Sequence, residues 1–245
     1  PAVSGFEATG ITHWLSAKFQ CAGEEIIGKA DNPVRREMEE FAGKVGLDFI
    51  VNYVLNRDYE LLGVYSGHFI KAHRKCVELA RPYYTHTCRS GEQGDVLLVG
   101  TAKAGANMWA LGSGPSWAVD ILKPGGTIIL LAPCPDGVAK EHPDVLKYGY
   151  LPYEQVKRLV EEGKIGDLAA ADHIARSGSY IHQKDLNCIL ASEGVSAGEA
   201  EMLHMKHASS PQEAVEMALS RHGKGARFYA FPGSTFAGLL VELKT

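Results

Sequence analysis

The chain has 245 residues, 45% apolar and 22% charged, with 25 lysines and arginines against 29 aspartates and glutamates, a formal net charge of -4. That composition fits a globular protein with one large or two modest cores and excludes disordered, collagenous and coiled-coil classes. No block of five or more like charges occurs, and apolar runs such as Thr127 to Pro133 fall far short of the ~20 residues a bilayer requires. Neither nucleic acid nor a membrane is therefore an expected partner, and no charged segment followed by an apolar one opens the chain as a secretory signal would. Five scattered cysteines (Cys21, Cys76, Cys88, Cys134, Cys188) with no C-x-x-C pair argue against a disulfide framework or zinc ribbon and for a reducing, cytoplasmic setting.

Ser4 to Glu7 forms an S-x-x-E capping box, which predicts a helix from about Gly5 to Lys18. Asn32-Pro33 restarts a helix, with Val34, Met38, Phe41, Ala42 and Val45 on one face. Two β-branched and aromatic runs, Asp48 to Leu55 and Tyr59 to Tyr65, flank the turn Asn56-Arg57-Asp58 and predict a hairpin, followed by a helix from about His68 to Ala80. Arg81-Pro82 ends that helix, and the polar stretch Thr85 to Gly94 reads as a domain boundary, dividing the chain into residues 1–87 and 88–245. Beyond it strands and helices alternate: strand Asp95 to Gly100, helix Met108 to Leu122, turn Lys123 to Gly126, strand Thr127 to Ala132. Helices near Pro152 to Glu162 and Asp167 to Ile181, strand Asn187 to Ala191, helices Ala197 to Met205 and Ser210 to Arg221, and strand Arg227 to Phe231 complete it. The fold class is α/β: an open, mostly parallel sheet of about four strands with flanking helices, preceded by a tail of helices plus a β-hairpin.

Ligands of such sheets bind at the carboxyl ends of the strands, which directs attention to the loops after Gly100, Ala132, Ala191 and Phe231. The stretch Gly100 to Asn107 is small and glycine-rich but lacks the Gly-Lys-Ser/Thr ending of a P-loop, and Gly112-Ser113-Gly114 sits too late for a dinucleotide fingerprint. It reads either as a tight connection or as a seat for an anionic small molecule. Phe231 to Thr235 reads as a terminal turn whose Ser234 and Thr235 hydroxyls could meet a ligand. Cys134 would need a histidine partner to act as a nucleophile, and His142 is the local candidate. Of ten histidines none forms H-E-x-x-H, and His68, His73, His173, His182, His204 and His207 read as ordinary surface or core residues. His13 follows a capped helix start beside Trp14, a position that by itself reads as structural.

These segments together resemble the C-terminal part of the nickel-dependent lactate racemase family. The likeness runs through Pro1-Ala2-Val3-Ser4, Asn32-Pro33-Val34-Arg35, Asp48-Phe49-Ile50-Val51-Asn52 with Leu55, and Ala72-His73-Arg74. It continues through Ala106-Asn107 before an aromatic residue, Lys123-Pro124-Gly125-Gly126 and Pro232-Gly233-Ser234-Thr235. His13 stands at the spacing of a family histidine that ligates nickel.

The resemblance implies a racemase or epimerase of a 2-hydroxy acid that transfers hydride to a nickel-pincer nucleotide while a histidine exchanges the hydroxyl proton. An unactivated C–H bond beside a carboxylate is a poor acid, so the hard step belongs to the cofactor. The family's acid-base histidines, carboxylate-gripping arginine, phosphate-binding loop and cofactor-anchoring lysine lie upstream of the segment resembled. The resemblance therefore implies a missing N-terminal catalytic half as partner, no catalytic residue here, and a chain inactive alone. His13 is the implied metal ligand, and Asn107, Trp109, Ala110 and Ser113 are implied to face a small-molecule hydroxy acid. Ala110 and Ser113 stand where the lactate enzyme has a glutamine and a lysine, and Trp109 where it has a tyrosine, so the substrate is expected not to be simply lactate. A chain lacking its other half also exposes apolar surface, so homo-oligomerisation is expected. The alternative is a noncatalytic α/β module that binds an anionic metabolite or closes over a partner's active site.

Overall fold

The computed structural model describes residues 5–21, 26, 28–56, 58–89, 91–100, 106–111, 115, 118–183, 185–231 and 240–244. In chain order they form α1 (Gly5–Cys21), α2 (Pro33–Val45), β1 (Ile50–Leu55), β2 (Leu61–Gly67), α3 (Phe69–Tyr84), β3 (Thr85–Arg89) and β4 (Gly94–Gly100). There follow α4 (Met108–Leu111), a 3-10 turn (Val119–Ile121), β5 (Leu122–Leu131), α5 (Asp144–Tyr148), α6 (Tyr153–Glu161) and α7 (Leu168–Gln183). β6 (Asn187–Ala191), α8 (Ala197–Met202), β7 (Lys206–Ala208), α9 (Pro211–His222), β8 (Phe228–Phe231) and β9 (Leu240–Lys244) end the series.

Five parallel strands in the order β7-β6-β5-β4-β8 make the central sheet. Its middle strands are apolar on both faces, as parallel strands covered on both sides must be. Leu97, Val99, Ile128, Leu130 and Leu190 face a core completed by Val145, Val156, Ile174 and Ala200 of α5 to α8. Val96, Ile129 and Ile189 face Ala214 and Ala218 of α9. The chain steps from β4 to β7 in one direction and returns through α9 to β8 on the far side of β4. That reversal lies between β4 and β8, where open α/β sheets place ligands. The connections leaving those two strands, 101–105 and 232–239, lie outside the described residues.

The parallel α/β architecture agrees with the sequence, with several differences. Thr85 to Arg89, read as linker, is a strand paired in parallel with β9, more than 150 residues later, and it spans the expected 87/88 division. β7 is a fifth parallel strand that the short polar run Lys206 to Ala208 does not announce. The helix expected over Met108 to Leu122 is reduced to α4 and the 3-10 turn among the described residues, and Leu122 already pairs with Gly94. Lys123 to Gly126 does turn, with Gly125 at φ 74°, but as a bulge inside β5, since the next paired residues are Val96 and Thr127. α3 runs past Pro82 to Tyr84, because proline in a last turn removes one hydrogen bond without breaking the turns before it.

In the first segment α3 covers one face of the antiparallel β1–β2 hairpin through Phe69, Ala72 and Cys76, and Tyr84 donates its hydroxyl to Leu55 O at 2.6 Å. Asn32 caps α2 by accepting from Arg35 N at 2.8 Å, and Gly46 ends it at φ 79°. α1 lies along α7: Gly10 approaches so closely that a Cβ there would sit 3.3 Å from Leu168 Cβ, and Trp14 stacks on Tyr153 of α6. The Ser4 cap lies outside the described residues.

Candidate functional site

The loops at the carboxyl end of the sheet are laced together by backbone hydrogen bonds. Asp136 N donates to Ala106 O at 2.9 Å, Trp109 N to Val138 O at 2.9 Å, and Gly194 N to Pro133 O at 2.9 Å. His207 Nε2 donates to Ser192 O at 2.9 Å, and Ser192 Oγ to Pro133 O at 3.1 Å. A side chain at Gly194 would place its Cβ 1.7 Å from Cys134 O, so the crossing of these two loops requires glycine. A cavity of ≈ 370 Å³ opens there, walled by Gly100, Leu131 and Ala191 at the strand ends, Ser192 and Glu193 beyond β6, and the Ser209–Pro211 turn. Two of its walls, Pro133 and the pair Ser192 and Glu193, belong to loops that the sheet rule singled out from sequence.

On the other face an aromatic row sits at the same edge. The Trp109 indole stacks on His142 with ring centres 3.6 Å apart and planes 12° apart, and on His173 at 4.7 Å and 27°. His142 Nδ1 donates to Asp167 Oδ2 at 2.6 Å, while Asp167 Oδ1 accepts from Ala169 N and Ala170 N at the start of α7. Burial pushes the Asp167 carboxyl up, but the bonds from His142 and the helix amides outweigh it and hold it below the usual carboxylate range. His173 is buried with its Nε2 3.3 Å from the Tyr150 hydroxyl, and burial, with Arg176 and His142 nearby, lowers its pKa to about 3. It is a neutral core histidine.

His13 projects from α1 toward α7, with Nδ1 3.7 Å from Asp172 Oδ2 and its side chain 46% exposed. Asp172 is 1% exposed; its Oδ2 takes Arg176 Nε at 2.9 Å and a second guanidinium nitrogen, and its Oδ1 has no partner. Burial raises the Asp172 carboxyl despite Arg176 and His13.

Two stretches singled out in sequence meet in the first segment. Arg35 and Arg74 converge on Glu39, at 2.9 Å from Arg35 Nε and at 2.7 and 3.1 Å from the Arg74 guanidinium. Burial raises the Glu39 carboxyl, yet Arg74 and Arg35 together hold it below its ordinary value. His68 caps α3 by accepting from Ile70 N.

Cys134 is fully buried, its thiol pushed up to about 11 by burial against a hydrogen bond with Ser192, while His142 is engaged with Asp167 and Trp109. The Cys134–His142 nucleophile is thereby excluded, since a buried thiol of that pKa gives almost no thiolate. Asn107 immediately precedes α4, and Trp109 and Ala110 lie on it; Ser113 and the Ala110 side chain fall outside the description, as do Gly100's following loop and Pro232 to Thr235. Asp167 and Asp172 were missed: the first is legible as a capping residue, but nothing local pairs it with a histidine 25 residues earlier.

No protein-family model and no curated protein sequence matches the chain. Solved structures do. The lactate racemase apoprotein from Thermoanaerobacterium thermosaccharolyticum superposes with a TM-score of 0.69 at 22% identity, covering 88% of this chain and 50% of that one. A crystal structure of a Thermotoga maritima protein from the Northeast Structural Genomics Consortium gives a TM-score of 0.71 at 17% identity, covering 95% of this chain and 58% of that one. The chain has a lactate racemase-like fold. It spans about half the length of the structures it matches.

Among the described residues of this racemase-like fold, no three His, Cys, Asp or Glu side chains gather as a metal site, and no helix is long and apolar enough to cross a membrane. The half-exposed His13 is the candidate ligand that the resemblance implies. An imidazole suits nickel, and ligating histidines commonly turn their other nitrogen to a carboxylate, as His13 turns Nδ1 to Asp172. The contact is to Oδ2, at 3.7 Å, which Arg176 also holds, and the buried Oδ1 of the same carboxylate has no donor.

Proposed function

We propose that the chain is part of a racemase or epimerase of a 2-hydroxy acid, with residues 1–87 belonging to a catalytic domain and 88–245 forming a second α/β domain. The likeness to the lactate racemase apoprotein over 88% of the chain carries the reading, and the sequence motifs support it. The implied cofactor is a nickel-pincer nucleotide, with His13 as this chain's nickel ligand. When bound, that group supplies the hydride acceptor that a C–H bond beside a carboxylate requires.

On this reading Asn107, Trp109, Ala110 and Ser113 are the residues that face the substrate, as the resemblance implies. Trp109 is held in one orientation by stacking on His142 and His173. Without an amide and a cation at Ala110 and Ser113 the grip on a small carboxylate weakens, so the substrate is not simply lactate, and a larger acid is the candidate that smaller side chains would suit. The acid-base histidines and the carboxylate-gripping arginine belong to polypeptide outside this chain.

The surface supports that division. Of 15 large apolar side chains exposed among the described residues, 14 lie between Phe6 and Tyr83. Met38, Phe41 and Val45 line the open stripe of α2, and Val51 and Tyr53, with Phe49 just before the strand, the uncovered face of β1. Such a patch is the mark of a covered interface, and the other half of the racemase-like fold is the partner proposed for it. The buried free thiols Cys76, Cys88, Cys134 and Cys188 fit a cytoplasmic setting.

The test is to load the chain, joined to its catalytic half, with the cofactor and assay a panel of 2-hydroxy acids for loss of optical purity. Racemisation of an acid larger than lactate, with nickel retained, is expected. Turnover of lactate at lactate-racemase rates would overturn the substrate assignment, and nickel-free, inert protein would leave the noncatalytic binding module.

A further inference from the structure

The packing of α1 on α7 gives His13 a neighbour that the sequence does not suggest. The two helices run in the same direction, since Gly10 meets Leu168 and, one turn later on each, His13 meets Asp172. The absent Cβ at Gly10 sets the helices close and so fixes this register. Asp172 is held in place from the following turn by Arg176, which grips Oδ2 through two nitrogens, so its carboxylate cannot swing toward solvent. One oxygen, Oδ1, is left buried with no donor. A buried carboxylate oxygen without a donor costs free energy, and Nδ1 of His13 stands 3.7 Å from the other oxygen, Oδ2, longer than a hydrogen bond but close enough for the carboxylate charge to act on the ring.

Building on the proposed function, we infer that Asp172 is a positioning residue for His13: its carboxylate selects the ring tautomer protonated at Nδ1 and turns Nε2 away from α7 as the ligating nitrogen. The two nitrogens lie on opposite flanks of the imidazole ring, so a proton held on one by a fixed carboxylate leaves the lone pair of the other pointing away. A carboxylate partner also strengthens the ring as a donor, and losing one typically weakens metal binding ~10–100-fold. Arg176 holds the carboxylate in place as an acceptor through two guanidinium nitrogens.

The inference is tested without nickel by recording the ring nitrogen signals of His13 in the 15N-labelled chain at a fixed pH where the ring is neutral. A ring mostly protonated at Nδ1 is expected in the wild type, reverting in Asp172→Asn toward the Nε2–H form that unconstrained histidines prefer. A wild-type ring already in the Nε2–H form overturns the inference, and that measurement stands whether or not the variant folds. A separate titration with nickel chloride compares wild type, Asp172→Asn and His13→Ala. A site lost in His13→Ala and weakened at least tenfold in Asp172→Asn supports the inference; one lost in His13→Ala but untouched in Asp172→Asn overturns it. Nickel uptake unchanged in His13→Ala refutes the nickel reading of His13 instead, while the tautomer still decides the role of Asp172.

Discussion

Asp167 binds His142 at 2.6 Å with one carboxylate oxygen and caps α7 with the other, so one side chain joins the start of a helix to the aromatic row that holds Trp109. Asp167→Ala removes both functions and is expected to cost about 2 kcal/mol, the sum of a cap and a charge-assisted hydrogen bond. Asp167→Asn keeps an acceptor for the helix amides and costs about half as much on the same reasoning. Urea unfolding measures both, and Trp109 emission shifts in the alanine variant as His142 is released. Because the Asp167 carboxyl is held below its ordinary value, its contribution is present above pH ~4 and is lost as pH falls through the lower folded value.

His173 produces an acid sensitivity of the opposite chemical origin. Its pKa falls from 6.5 to about 3 on folding, so between those values the unfolded chain binds a proton that the folded chain excludes. Stability is therefore full above pH 6.5 and declines on acidification, by up to ~1.4 kcal/mol per pH unit for this one group. Denaturation at pH 7, 6 and 5 should show that slope in the wild type and a shallower one in His173→Gln. Equal slopes would mean the ring takes up its proton while buried.

Burial pushes the thiols of Cys134 and Cys188 up to about 11 and about 12. Iodoacetamide at pH 8 should leave both unmodified in the native chain and alkylate both in denaturant, as peptide mass spectrometry would read. Rapid native labelling of Cys134 would contradict its burial and reopen its candidacy as a nucleophile.

Glu39 ties α2 to α3 through Arg35 and Arg74. In Glu39→Gln two half-buried guanidiniums lose their shared carboxylate, and a loss of about 1–3 kcal/mol is expected, reduced by solvent reaching both arginines. Arg35→Lys should cost less, because Arg74 keeps its paired contact.

The open stripe of α2 makes self-association of the isolated chain the expected behaviour. Sedimentation velocity should show a concentration-dependent rise in mass that Phe41→Glu with Val45→Lys lowers. Both positions are exposed, so the double variant should fold with stability within about 0.5 kcal/mol of the wild type. A strictly monomeric wild type would argue that the patch is too small or too broken to pair with itself.

The apolar runs from Val96 to Val99, Ile128 to Leu131 and Cys188 to Ala191, spaced by helical periodicity and punctuated by proline and glycine, carry the α/β order without reference to anything distant. Strand ends place ligand loops, so the cavity beside Pro133 and Ser192 was legible to the same extent. β3 and β7 were not: Thr85 to Arg89 and Lys206 to Ala208 are short and polar, and only partners far along the chain make them strands. The α2 stripe was legible as an apolar face, but not that it would be left open. The pairings of His142 with Asp167 and of His13 with Asp172 bridge 25 and 159 residues, distances at which sequence spacing carries no geometric information. Local pattern settles the long apolar strands and the periodic helices, because backbone preference and side-chain periodicity act over a few residues. Which charges meet, and which faces are covered, waits on the docking of whole elements, because burial and Coulomb attraction depend on distances in space and not along the chain.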